Sequence, residues 1–309
     1  MNPITGKEEE TIIIIKDRIN DIRFLNKYFI ELNKSLEIGD RLKGNFHYLD
    51  ARRKGQLAEY MWPFNWLIIL WDTFINRIVP KVPVVKKVYF AVTRGKGRVL
   101  SRAEVYGRLY SCGFELMEEE CVGNQINFTF RKSGIPLITD KSTPSYGLLI
   151  RLNRIGKGGV LFGVYKLRTM HPYSEYLQQY IYDKYSLKKG GKLDKDFRIS
   201  AEGKIMRKYW IDELPMLFNI LKGEMKLVGV RPLSPHFFSL YSDELKILRI
   251  KTKPGLIPPF YADMPDTLLE IMESERKYLI AHSSSPYLTD LRYLFRGLYN
   301  IVLKGARSS

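Results

Sequence analysis

Residues 196–232 read DFRISAEGKIMRKYWIDELPMLFNILKGEMKLVGVRP, and an acidic pair, Asp212-Glu213, is bracketed there by Arg198, Arg207, Lys208, Lys222 and Arg231. Carboxylates ringed by cations point to a site that handles anions. Pro215 is tolerated only in a first helical turn, Leu214, Leu217, Phe218 and Leu221 form an apolar stripe, and Gly223 is a natural stop. Asp212 is therefore expected at the N-cap or in the first turn of a helix. There the helix dipole would keep it ionised, and free N–H groups with the arginines would hold phosphate oxygens beside it. That arrangement suits attack by a carboxylate on phosphorus. Aspartate is also among the best N-caps, so capping alone explains the same residue without chemistry.

Upstream, a strand over residues 146–152, a basic glycine turn RIGKGG at 154–159 and a strand over 160–167 running into Arg168-Thr169-Met170 read as a short hairpin. Thr169 and Met170 read as packing, and Trp210 and Ile211 as core beside the acidic pair. Residues 173–195 read as an amphipathic helix and an exposed basic loop. Residues 133–147, SGIPLITDKSTPSYG, read as a connector, which divides the chain near 140 into modules 1–140 and 141–309.

Within the first module, residues 10–60 read as helices punctuated by Gly39 and Gly44. A helix capped by Ser101 and ending at Gly113 precedes a β-hairpin over 114–132 that turns at Gly123-Asn124. This ending faintly resembles the last elements of Rossmann-like methyltransferases. No glycine-rich loop for a nucleoside cofactor accompanies it, so methyl transfer is not assigned.

The chain has 309 residues, 45% hydrophobic, enough for a sizeable core, and it carries a net charge of +17, which predicts attraction to nucleic acid, nucleotide phosphates or an anionic leaflet. Cys112 and Cys121 stand without a second pair or clustered histidines, which supports neither a zinc ribbon nor a disulfide framework and reads as two buried structural thiols. His47, His171, His236 and His282 are scattered and read as structural, with His236 alone near the site in sequence. The start MNPITGKEEE lacks the pattern of a signal peptide. Residues 62–80, WPFNWLIILWDTFINRIVP, are interrupted by Asp72 and Arg77 and do not make a simple transmembrane span. Two readings stand open for them: an interfacial helix, or a core helix of a soluble domain.

Over residues 144–256 the sequence resembles the bacterial sugar transferase family, the monotopic phosphoglycosyl transferases. The matching pieces run in the family's order: RIGKGG, Tyr165-Lys166-Leu167-Arg168-Thr169-Met170, Asp196-x-Arg198, then Asp212-Glu213-Leu214-Pro215 through LKGEMKLVG to Arg231-Pro232. The resemblance implies transfer of a sugar phosphate from a UDP-sugar to polyprenyl (undecaprenyl) phosphate, through a covalent intermediate, at the start of capsule, O-antigen or exopolysaccharide assembly. It implies that Asp212 is the nucleophile, that Glu213 joins it in organising Mg2+ and the acceptor's proton, and that Arg207, Arg231, Lys166 and Arg168 hold phosphate. For Lys166 and Arg168 a solvated basic surface explains the charge equally well. It further implies a place on the cytoplasmic face of a bacterial inner membrane. The sugar and the oligomeric state stay open.

Three positions depart from the family pattern: Met216 stands where Gln is usual, Val230 where Pro is usual, and KPGLIPP at 253–259 replaces the PGITG continuation. None removes a charged group, so the departures bear on the sugar or nucleotide pocket. The long apolar re-entrant helix that the family carries just before the YK-R-M motif is also missing there; residues 62–80 are shorter, more polar and far upstream. The segment LTDLRYLFRGLYNIVLKGARSS near the C-terminus has the pattern of an interfacial helix.

The expected architecture is α/β (α+β): a small helix-rich catalytic module with a short sheet, membrane-associated, preceded by a separate α/β N-terminal module. Two rival functions stand against the enzyme. One is a non-catalytic membrane-bound relative acting in assembly or regulation. The other is a basic nucleic-acid-binding protein, for which no single-strand or helix-turn-helix signature is present; no nucleic-acid partner is expected.

Overall fold

The isoleucine run before Lys16, and the alternation of Leu42 and Phe46 with polar neighbours, make two parallel strands, β1 (Ile12–Ile14) and β2 (Arg41–His47). They belong to a computed structural model that describes residues 11–82, 84–139, 147–184 and 196–306. The chain forms two units, Met1–Tyr146 with His171–Tyr180, and Gly147–Met170 with Ile181–Ser309.

In the first unit, β3 (Phe114–Val122) and β4 (Gln125–Lys132) form the expected hairpin, and β4 inserts beside β2 to give the order β1-β2-β4-β3. Residues 10–60 are not all helical. Helices α1 (Leu25–Ser35) and α2 (Leu49–Glu59) alternate with β1 and β2, and Gly44 lies inside β2, paired with Phe128. Central β2 is laddered on both edges, so pairing remote in sequence overrides a local pattern too short to distinguish strand from helix. Helices α3 (Phe64–Thr73) and α4 (Val85–Thr93) precede α5 (Arg102–Ser111), where Ser101 caps as expected by accepting from the Glu104 N–H. Helix α5 is buried along its length, and Tyr106 meets Phe46 and Phe130 edge-on. Segment His171–Tyr180 completes this unit: buried Tyr173 accepts from Asn26 Nδ2 at 2.5 Å and from Arg108 Nη1 at 3.1 Å.

The expected helix over 62–80 is broken after α3 by a π turn, Phe74–Ile78. Its polar groups point into the unit: Asp72 takes a two-pronged bond from Arg52, at 2.6 and 3.0 Å, and accepts from Asn76 Nδ2. Trp62, Phe64, Trp66, Leu70 and Trp71 are exposed instead. Among the described residues no helix is long and apolar enough to cross a membrane. Cys112 is buried, and burial pushes its thiol up to about 12, whereas Cys121 is exposed on the edge strand β3. The expectation of two buried thiols fails for Cys121, because an edge strand turns one face outward.

In the second unit, β5 (Leu149–Ile155) pairs antiparallel with β6 (Leu161–Leu167). Strand β5 starts and ends later than expected because Arg154 and Ile155 extend the ladder opposite Phe162 and Leu161. After α6 (Gln178–Lys184), the predicted basic loop lies outside the described residues, as does the expected boundary near 140. Then come α7 (Ala201–Lys208), a 3-10 turn Ile211–Glu213, α8 (Met216–Leu221), β7 (Lys226–Val228), α9 (Pro235–Ser239) and α10 (Asp243–Ile250). Strand β8 (Gly255–Ile257) lies parallel to β7, before α11 (Phe260–Asp263), α12 (Leu268–Ser284) and α13 (Pro286–Leu303). One core gathers Val228, Ile257, Tyr261 and Tyr278; a smaller one gathers Val164, Met216, Met225 and Leu256. Trp210 packs against both, as expected of a core residue, but Ile211 is exposed. The fold is a mixture of helices and short sheets, as the α/β expectation has it.

Candidate active site

Asp212 sits in the 3-10 turn rather than at the N-cap of α8, a place taken by Pro215. Trp210, which leads into the turn, has φ +61, a left-handed conformation that costs a non-glycine residue about 1 kcal/mol or more unless packing holds it. Packing does hold it: the indole spans both cores and its Nε1 donates to the Tyr261 hydroxyl at 3.1 Å. The turn buries both carboxylates. Burial raises the Asp212 pKa above its ordinary 3.8, against the pull of Lys166 and Arg207 and with a further push from Glu213. Burial thus works against the charge that a helix dipole would favour at Asp212: removal from water outweighs the nearby positive charge.

Lys166, on β6, donates to Glu213 Oε1 at 2.5 Å, so the strand hands a cation to the acidic pair, where a phosphate contact or a solvated surface was expected. Arg207, near the end of α7, donates through Nε to Thr169 Oγ1 at 3.0 Å, and its charge is felt at Asp212. Burial lowers the Arg207 pKa, and Arg198 and Arg231 add to the fall. Arg231 follows β7, with its guanidinium carbon 5.7 Å from the centre of the Phe260 ring. Arg154 is likewise lowered by burial and by Arg231. Among the described residues, Arg154, Arg207 and Arg231 form no ion pair with a carboxylate, whereas Arg198 is paired with Asp196 at 2.7 Å. Three guanidinium groups, held close enough to repel one another beside a carboxylate, favour an arriving anion such as a phosphate.

Arg168 is placed differently. It follows the end of β6, half-buried, and its Nε donates to the Gly147 carbonyl at 3.1 Å. His236 lies on α9 against Phe237, while His282 bonds Lys226 on β7 at 2.7 Å. Thr169 does more than pack: besides orienting Arg207, its carbonyl accepts from Ser200 N at 3.0 Å, and a side chain on Gly203 would come within 2.0 Å of that oxygen. This close approach clamps the start of α7 onto the end of β6 and so aims Arg207. Nothing local in Arg168-Thr169-Met170 distinguishes that role. Arg154 carried a signal, its place in the glycine turn, but only the fold brings it to Arg231.

Among the described residues no group of three or more His, Cys, Asp or Glu could hold a metal ion. The adjacent Asp212 and Glu213 suit Mg2+ held jointly with phosphate oxygens, since that ion takes one or two carboxylates and fills its shell from substrate and water.

The profile of the family described as bacterial sugar transferase matches residues 135–304, more than half of the chain. The chain belongs to that family. Among curated relatives, this sugar transferase is 34% identical over 129 residues to the UDP-N-acetylgalactosamine-undecaprenyl-phosphate N-acetylgalactosaminephosphotransferase of Aeromonas hydrophila, covering 38% of this chain and 28% of the relative. It is 40% identical over 108 residues to the undecaprenyl-phosphate galactose phosphotransferase of Salmonella typhimurium, covering 33% of this chain and 22% of the relative. It is 36% identical over 110 residues to the exopolysaccharide production protein ExoY of Rhizobium meliloti, covering 33% and 47%. The sugar transferase thus spans less than half the length of these relatives.

Proposed function

We propose that this protein transfers a sugar phosphate from a UDP-sugar to a polyprenyl phosphate, undecaprenyl phosphate by analogy with its relatives, at the start of surface polysaccharide assembly. The observation that carries the reading is the buried Asp212 beside the Lys166–Glu213 pair, with Arg154, Arg207 and Arg231 in no ion pair among the described residues.

In the first step a carboxylate oxygen of Asp212 attacks the phosphorus that bears the sugar. The bond from that phosphorus to the bridging oxygen breaks, UMP leaves with the electron pair, and an aspartyl phosphosugar remains. In the second, an oxygen of the polyprenyl phosphate attacks the same phosphorus, the aspartyl bond breaks, and the carboxylate is restored. Arg207 and Arg231 hold the phosphate oxygens, and Lys166 fixes Glu213 in place beside the acceptor. Asp212 and Glu213 would hold Mg2+, which spreads the pyrophosphate charge when bound. Arg168 is assigned to donor positioning at the rim.

A membrane surface is the setting, at the cytoplasmic face of the inner membrane. Helix α3 supports it by an inside-out arrangement, polar groups inward and Trp66, Leu70 and Trp71 outward, a pattern that water penalises and lipid rewards. The exposed residues of α13, including Leu288, Leu291, Phe295 and Leu298, support it as well.

The experiment is UMP release from a panel of UDP-sugars by vesicle-bound protein with Mg2+ and undecaprenyl phosphate, alongside Asp212→Asn and intact-mass analysis. Turnover and a phosphosugar adduct, both absent from Asp212→Asn, are expected. No release across the panel by folded protein would turn the reading to a non-catalytic relative.

A further inference from the structure

Arg231 is held by its backbone from several directions. The carbonyl of Val230 accepts from Gly255 N at 2.9 Å, and that of Leu233 accepts from Ile155 N at 2.9 Å. Between them, the carbonyl of Arg231 accepts from Nη2 of Arg249, a residue in the last turn of α10. The other arm of the same guanidinium, Nη1, donates to Oε2 of Glu275 on α12. Both side chains are buried, 5% and 1% exposed, and the guanidinium carbon lies 4.9 Å from the centre of the Tyr241 ring.

One planar group therefore ties two helices to the main chain of a single residue, the one whose own positive charge is felt at Arg207 and Arg154. A buried ion pair alone would serve the core equally well if its second arm met any other acceptor. We propose that Arg249, oriented by Glu275, is a positioning residue for Arg231, fixing the direction from which Arg231 meets a nucleoside diphosphate. The proposal rests on the transferase reading for the identity of that ligand. Arginine is required because its rigid fork reaches two acceptors at set angles, whereas a lysine ammonium preserves the charge toward Glu275 without the fork.

The test compares the full chain with Arg249→Lys, Arg231→Ala and the double variant. UDP affinity in the presence of Mg2+, UMP release and the melting temperature are measured for each. Arg249→Lys is expected to weaken UDP binding about tenfold, the scale of one misdirected charge-assisted contact, and to add less than about twofold once Arg231 is already alanine, because the two act as a unit. Glu275→Gln, which keeps the shape of the acceptor, is expected to move affinity in the same direction by less. Equal effects of Arg249→Lys in both backgrounds, or a lowered melting temperature with UDP affinity unchanged, would overturn the positioning role. UDP binding without UMP release by the native chain refutes the transferase chemistry while leaving the affinity comparison decisive. Absence of UDP binding by the native chain overturns both.

Discussion

At the scale of single residues, Asp212 is placed where burial works against its charge. A carboxyl whose pKa is raised in the folded state holds its proton more tightly there than in the unfolded chain, so ionisation opposes folding and stability increases as pH falls through the raised value toward 3.8. Asp212→Asn removes that opposition at neutral pH. Its melting temperature is expected to equal or exceed that of the native chain, while turnover falls at least about a thousandfold, the order found when a nucleophile is removed. Since the attacking group must be ionised, the acid limb of the kcat/KM profile is expected above pH 3.8; a limb at or below that value would contradict the burial of Asp212. The acidic pair and its cations were legible as residues because charge opposed to charge within a short segment is visible without a structure. The direction of the Asp212 shift was not, because burial depends on Trp210 spanning two cores built from residues far apart in sequence.

At the scale of elements, the clamp between β6 and α7 is sensitive to a single methyl group. Gly203→Ala would bring a carbon within 2.0 Å of the Thr169 carbonyl and is expected to destabilise by about 1–3 kcal/mol, the usual result of overpacking. Moving α7 also moves Arg207, so UDP affinity is expected to fall with stability; urea titration and UDP binding check the two together. Helix α3 makes the opposite prediction. Leu70 and Trp71 are 63% and 68% exposed, so Leu70→Glu with Trp71→Glu is expected to leave the melting temperature within a few degrees of the native value. The same pair is expected to reduce sedimentation with anionic vesicles; unchanged sedimentation would remove α3 from the membrane contact. The helix was legible in the aromatic run of residues 62–80, but its orientation was not. Asp72 looks like an interruption until Arg52 is found donating to it.

For the whole molecule, a charge of +17 makes association with anionic lipid depend on ionic strength. Vesicle sedimentation is expected to weaken as salt rises, yet to retain a salt-resistant part from apolar contact through α3. Complete release at high salt would show electrostatics acting alone.

Motif order, charge and glycine placement determined the family, the acidic pair and the hairpins at 114–132 and 149–167, since each depends on neighbours along the chain. Tertiary structure alone decided that residues 10–60 contain two strands, that Tyr173 belongs with the first unit and that Arg154 meets Arg231. Strand pairing, burial and the meeting of like charges are set by partners distant in sequence. No local pattern carries the information about which partner arrives.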